Sequence, residues 1–384
     1  MIKSKLPETG TTIFSVMSKM AQEYDAINLS QGFPNFDVDT DLIDLVSDHM
    51  LRGHNQYAPM GGLTQLQEVL ADKILRLYNR RLSPNSEITI TAGATQAIFT
   101  AITALVHPGD EVVIVEPAYD CYRPAIEING GIVRPFALHK PDFKIYWSEL
   151  ADLVNEKTKM IILNSPHNPT GQLLEWEDYD ELIRLVEKHP DLYVLSDEVY
   201  EHITFDGHAH ESILSFDALW PRCMATFSFG KTFHATGWKT GYIVAPEYIS
   251  TEIRKVHQYN VFCANAPIQF ALADYLENDE KWKRLPAFYE KKRNLMEEIL
   301  ASTPLEPIKS LGTYYLMADF SSFSKQSDTE FAEWMTKEIG VAVIPPSAFY
   351  SDGLDEGIVR ICFAKKDETL LQAGERLQKM ASYV

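Results

Sequence analysis

Short apolar runs alternate with stretches of helical spacing through the first two thirds of the chain. The runs fall at residues 88–91, 111–115, 131–138, 160–163, 192–195, 223–227 and 242–245, and each reads as a strand. Apolar residues at helical spacing between them predict helices over 93–106, 122–128, 148–154 and 176–188. Strand, helix, strand in this rhythm predicts an α/β fold: a mostly parallel seven-stranded sheet covered on both faces. Ligands of such sheets sit at the carboxyl ends of the strands.

The flanks read differently. A short helix fits residues 11–21, and residues 27–37 form a loop dense in Gly, Pro and Asn. Helical spacing returns over 39–52 and 63–80, with a loop at 55–62 between them. Past Glu247 the rhythm changes to helices at 249–257, 266–276 and 279–301. Strands at 312–318, 341–344 and 358–362 follow, with helices at 329–338 and 367–380. Segregated helices and few strands predict a smaller α+β domain. The expected division is an arm at 1–40 packing with the small domain, a large domain at 41–279 and the small domain at 280–384.

With 384 residues, a single small core is excluded. The formal charge of −19 disfavours nucleic acid and anionic membranes as partners. No run is long and apolar enough to span a membrane, and residues 1–10 lack the apolar core of a signal peptide. Cys121, Cys223, Cys263 and Cys362 form no C-x-x-C pair, so reduced thiols in a cytoplasmic protein are expected. His202, His208, His210 and Glu211 match no metal-ligand spacing, and no metal is expected.

Candidate chemistry collects after the strands. Gly93-Ala94-Thr95 opens a helix, where free N–H groups and the helix dipole suit a phosphate, although Thr95 also reads as a plain cap. Tyr119 follows the second strand and suits stacking on a planar ring or core packing. Asn164-Ser165-Pro166-His167-Asn168-Pro169-Thr170-Gly171 is turn chemistry that can aim the Asn168 amide at a ligand oxygen. Asp197 closes an apolar strand, a costly place for a carboxylate without a cationic partner, and Val199 faces the same way. Ser228-Phe229-Gly230-Lys231 and Lys239 lie between the last two strands. A buried lysine loses its proton readily, and its neutral amine can attack an aldehyde, while a second lysine holds an anion.

Taken together, Asn168-Pro169-Thr170-Gly171, Asp197-Glu198-Val199-Tyr200 and Ser228-Phe229-Gly230-Lys231 resemble the fold type I pyridoxal-phosphate enzymes of the class I/II aminotransferases. Ser30-Gln31-Gly32-Phe33-Pro34, Asp120-Cys121-Tyr122 and Lys231-Thr232-Phe233 are most similar to the kynurenine/glutamine and bacterial methionine aminotransferase branch. The resemblance covers nearly the whole chain. It implies pyridoxal 5′-phosphate joined covalently to Lys231, with Asp197 on the protonated ring nitrogen. It implies Asn168 and Tyr200 on the ring's phenolic oxygen, and Tyr119 and Val199 against its faces. Ala94, Thr95, Ser228 and Lys239 would hold the phosphate, joined by Tyr57 from a neighbouring subunit, which implies a homodimer. Many relatives carry Arg where this chain has Lys239, so only the geometry of that contact is expected to differ. Arg360, with Gly32 and Asn168, would grip the substrate α-carboxylate.

Transamination between an amino acid and a 2-oxo acid is the expected reaction, with Lys231, Asp197 and Tyr200 central to it. Phe14, Tyr57 and Phe349, with Phe33 and Phe262 near the motifs, are the candidates for an apolar side-chain pocket. No second arginine stands where a side-chain carboxylate would sit, so methionine, glutamine, kynurenine and aromatic amino acids are preferred to aspartate. The nearest rival is a pyridoxal-phosphate C–S β-lyase. Tyr200, where lyases of this shape tend to have His, favours the aminotransferase. A regulator on the same fold would need a DNA-binding domain ahead of the core, for which about 40 residues and a negative charge are unsuited. A dinucleotide-binding protein would need a Gly-x-Gly-x-x-Gly fingerprint after the first strand.

Overall fold

A computed structural model describes residues 2–7 and 9–383. Seven strands form the central sheet: β1 (Ile88–Thr91), β2 (Glu111–Glu116), β3 (Ile132–Ala137), β4 (Thr158–Asn164), β5 (Tyr193–Asp197), β6 (Cys223–Ser228) and β7 (Gly241–Val244). Their order is β1-β7-β6-β5-β4-β2-β3, and only β7 runs against its neighbours. Every residue of β1, β2 and β7 is buried, as a sheet covered on both faces requires. The helices Ala94–Leu105, Tyr122–Ile128 and Glu247–Asn260 contribute Ile98, Ile102, Ile126 and Ile249 to the core on one face. A larger core, running from Leu66 through Leu182 to Leu272, fills the other. Because β1, β2, β4, β5 and β6 are parallel, their carboxyl ends meet along one rim. All five motif loops leave from that rim.

The C-terminal part is built on an antiparallel sheet of β8 (Glu306–Ile308), β9 (Tyr315–Asp319) and β10 (Ile358–Cys362), in the order β10-β9-β8. The segment predicted as a loop at 27–37 contains a two-residue strand, Ile27–Asn28, paired in parallel with Val341–Ala342. Leu29 continues the pairing, its carbonyl accepting from the Cys362 N–H at 2.9 Å. The loop that carries Gly32 is thereby stitched to the C-terminal sheet.

Three predicted elements differ in extent. The helix expected over 279–301 is two helices, Glu280–Lys283 and Leu285–Leu300, parted where Pro286 opens the second. The helix expected over 329–338 is α-helical over Asp328–Trp334 and widens to a π turn over Met335–Ile339 before Gly340. The strand expected over 341–344 keeps only Val341–Ala342, with an isolated bridge from Ile344 to Arg360.

Candidate active site

Strand β6 ends on Ser228, whose hydroxyl accepts from the Lys231 N–H at 3.3 Å and caps the short helix Phe229–Thr232. The Lys231 amine donates to the Tyr314 hydroxyl at 2.8 Å and to the Gly32 carbonyl at 3.1 Å. Tyr314 donates to the same carbonyl at 2.7 Å. A side chain at Gly32 would fall on the Tyr315 hydroxyl, so only glycine brings that carbonyl in. Burial pushes the Lys231 ammonium down to about 8, and the nearby Arg360 charge adds to the effect. Much of the amine is therefore neutral near pH 8.

One corner of the site is made for an anion. Gly93 turns the chain at φ 85°, a left-handed conformation that suits glycine, into the helix Ala94–Leu105. The N–H groups of that first turn have no partner inside the helix. Lys239 stands beside them, its Nζ 3.6 Å from where a Cβ on Gly93 would lie. Ala94, Thr95, Ser228, Lys239 and Thr240 all line the cavity there. Gly241 lets the chains close up, since a Cβ on it would lie 2.5 Å from the Phe227 carbonyl and 3.0 Å from the Ala94 nitrogen.

The opposite wall carries Asp197 at the buried end of β5. Its Oδ2 accepts from the Tyr122 hydroxyl at 2.6 Å. Its Oδ1 has only long contacts, 3.4 Å to the Val199 N–H and 3.5 Å to the Thr226 hydroxyl. Burial pushes the carboxyl up to about 6, with the Tyr122 bond acting against it. A buried carboxylate with one open oxygen calls for a cation.

Asn164 braces this wall: its amide donates to the Asp197 carbonyl, and its Oδ1 accepts from the Asn168 N–H, both at 2.7 Å. Asn168 Oδ1 accepts from Arg360 Nη1 at 3.1 Å, and the Ser30 carbonyl accepts from Nη2 at 3.0 Å. Arg360 is buried, Nε has no partner, and no carboxylate pairs with it among the described residues. Its guanidinium carbon lies 4.2 Å from the Tyr315 ring centre, 5.2 Å from Phe14 and 5.3 Å from Phe349. Aromatic faces hold the cation, and the missing partner is an anion.

A cavity of about 220 Å³ joins the lysine, the anion corner and the Asp197 wall, and Arg360 stands behind its lining, against Asn168 and Tyr315. Gly32, Ala94, Thr95, Tyr119, Asn168, Asp197, Val199, Tyr200, Ser228, Lys231, Lys239 and Phe14 line it, and so does Phe33. The Tyr119 hydroxyl meets that of Thr95 at 3.2 Å. Tyr200 meets Tyr315, hydroxyl to hydroxyl, at 3.4 Å. Phe349 stands behind Phe14, with ring centres 5.6 Å apart. Tyr57 lies elsewhere: it is 83% exposed and packs edge-on against Phe262, outside this cavity. Tyr314, Tyr315 and Tyr122 carry no role in the sequence reading because they fall where it shows ordinary strand or helix, and Asn164 carries none although it opens the turn run that ends on Gly171.

A family model for aminotransferase class I and II matches residues 24–377. The chain belongs to the class I and II aminotransferases. It is 49% identical to methionine aminotransferase of Escherichia coli K12 over 98% of both chains. It is 34% identical to human kynurenine–oxoglutarate transaminase 1 over 94% of both. The solved structure of YbdL from E. coli, whose structure and reactivity identify a methionine aminotransferase function, superposes with a TM-score of 0.97, covering 99% of each chain.

Aminotransferases of this class use pyridoxal phosphate, and the site fits that cofactor. The helix end beside Lys239 suits its phosphate, the open oxygen of buried Asp197 suits a protonated ring nitrogen, and the near-neutral Lys231 suits its aldehyde.

Proposed function

We propose that this aminotransferase takes the amino group from methionine, glutamine, kynurenine or an aromatic amino acid and passes it to a 2-oxo acid. One observation carries the reading. A lysine amine poised near pH 8 and a buried carboxylate with one free oxygen face one cavity, beside a buried arginine that lacks an anion. Arg360 is the one guanidinium beside the cavity among the described residues, which favours substrates with a single carboxylate. Phe14, Phe33 and Tyr315 offer apolar surface instead.

In this reading Arg360 binds the α-carboxylate of the substrate, with Asn168 and the Gly32 backbone beside it. Bound pyridoxal phosphate supplies an electron sink that makes the substrate α-hydrogen acidic. The Lys231 amine, in its neutral form and within the cavity, would take that proton from the α-carbon and would give it back at the carbon of the cofactor's aldehyde group. Asp197 keeps the cofactor nitrogen charged; Asn168 and Tyr200 hold its phenolic oxygen, and Tyr119 and Val199 cover its ring. Ala94, Thr95, Ser228 and Lys239 hold the phosphate, with Tyr57 from a partner subunit. That last role makes the protein a homodimer, and exposed Tyr57, Tyr259 and Phe262 support such a surface. We also place the protein in the cytoplasm, in keeping with its four unpaired cysteines. No helix among the described residues is long and apolar enough to cross a membrane.

The test is a donor profile: the holoenzyme's visible spectrum is followed while each amino acid is added in turn. Methionine, glutamine, kynurenine and aromatic donors are expected to convert the cofactor fastest. A clear preference for aspartate would overturn the substrate assignment.

A further inference from the structure

We propose that Tyr122 is a positioning residue for the cofactor's ring nitrogen, acting through Asp197. The proposal rests on the reading of Asp197 given above. Tyr122 opens the helix Tyr122–Ile128 at the end of β2, two strands away from β5 in the sheet, and is 2% exposed. Its ring packs edge-on against Tyr119, with centres 5.8 Å apart. Its hydroxyl is the only close donor to the Asp197 carboxylate among the described residues, at 2.6 Å on Oδ2, while the contacts to Oδ1 are 3.4 and 3.5 Å. A short bond from a fixed phenol sets the carboxylate plane and leaves Oδ1 free for the cavity.

The bond also decides the charge. In this enclosed place a carboxyl without a donor keeps its proton, and a neutral acid cannot pair with a pyridinium. A hydrogen bond to the ionised form works in the other direction, and those to charged groups are the strong ones. Burial and the Tyr122 bond do act on Asp197 with opposite sign. Tyr122 thus makes no contact with the cofactor in this account, and its effect passes wholly through the carboxylate.

The test compares two cofactors on one protein: pyridoxal phosphate and its 1-deaza analogue, which has a C–H where the ring nitrogen stands. Dissociation constants are measured for the wild-type chain, Tyr122→Phe and Thr226→Val. Phenylalanine fills the same space, so the fold is kept. The wild type should prefer the natural cofactor; equal binding of the two would refute the pairing of Asp197 with the nitrogen. Tyr122→Phe should lose about tenfold of that preference, with affinity for the deaza form little changed. An unaltered preference in Tyr122→Phe, beside an intact one in the wild type, would overturn the role of Tyr122 alone. Equal losses for both cofactors would also overturn it, since they mark a general loosening of the site. Thr226→Val removes the more distant hydroxyl and should move the preference less than twofold; a loss as large as that of Tyr122→Phe would overturn the claim that the short bond is the one that matters.

Discussion

Lys231 illustrates how one residue bears a cost for the sake of chemistry. Its amine is held at about 8, below the value of 10.5 for an exposed lysine. Below pH 8 both folded and unfolded chains carry the proton, and burying the charge costs about 3 kcal/mol from the difference of the two values. Between 8 and 10.5 only the unfolded chain holds it, and the cost fades. Lys231→Met should therefore raise the urea midpoint of the apoprotein at pH 7, with the gain shrinking toward pH 10. The same value sets the speed of cofactor capture: recombination of the apoprotein with pyridoxal phosphate should accelerate through pH 8 and level off above it. Arg360 is tested differently. Arg360→Lys keeps the charge but loses the planar fork, so KM for amino acids should rise by about 100-fold while kcat falls less. Lys231 and Asp197 stand out in the sequence because they sit in motif runs at or just past strand ends, whereas Arg360, in the middle of β10, is marked only by the family resemblance. The roles of Tyr314 and Tyr122 are not legible: Tyr314 falls in an apolar run and Tyr122 opens a helix, and neither place marks where the hydroxyl ends.

At the scale of elements, close approach decides what the strand ends can hold. Strand β7 runs against β1 and β6 and begins at Gly241, under the Gly93–Ala94 turn. Gly241→Ala would force apart the Phe227 carbonyl and the Ala94 nitrogen, both at 3.0 Å or less from the added carbon. The expected result is a loss of about 1–3 kcal/mol in stability, the size seen for overpacked cores, and faster release of pyridoxal phosphate. Thermal melting and a dialysis time course would register the two. The inner strands of the central sheet can be read from their apolar runs, since strands buried on both faces need that composition, while the edge strand β3 is expected from its run although only Phe136 in it is buried. The strand Ile27–Asn28 is not legible because two residues leave no periodicity, whereas its partner Val341–Ala342 lies inside the apolar run expected as a strand. The break at Pro286 escaped because helical spacing runs on across it, while the proline sits at a helix start it tolerates well.

On the scale of the whole molecule, the site is a meeting of distant segments. Gly32 comes from the N-terminal stretch, Lys231 and Asp197 from the central sheet, and Tyr314 and Arg360 from the C-terminal part. A single chain leaves Tyr57, with Phe262 packed against it, outside the cavity. If it serves the neighbouring subunit, two crippled chains can mend each other. Tyr57→Ala weakens the phosphate hold, and Lys231→Ala removes the catalytic amine. In a mixed dimer one site receives the intact Tyr57 of the lysine variant and the intact Lys231 of the tyrosine variant, so it is whole; the other site carries both lesions. Refolding the two variants together should thus recover up to about a quarter of wild-type activity: random pairing makes half of the dimers mixed, each with one working site. Activity that never exceeds the sum of the separate parents would place Tyr57 in its own chain's service, or in none.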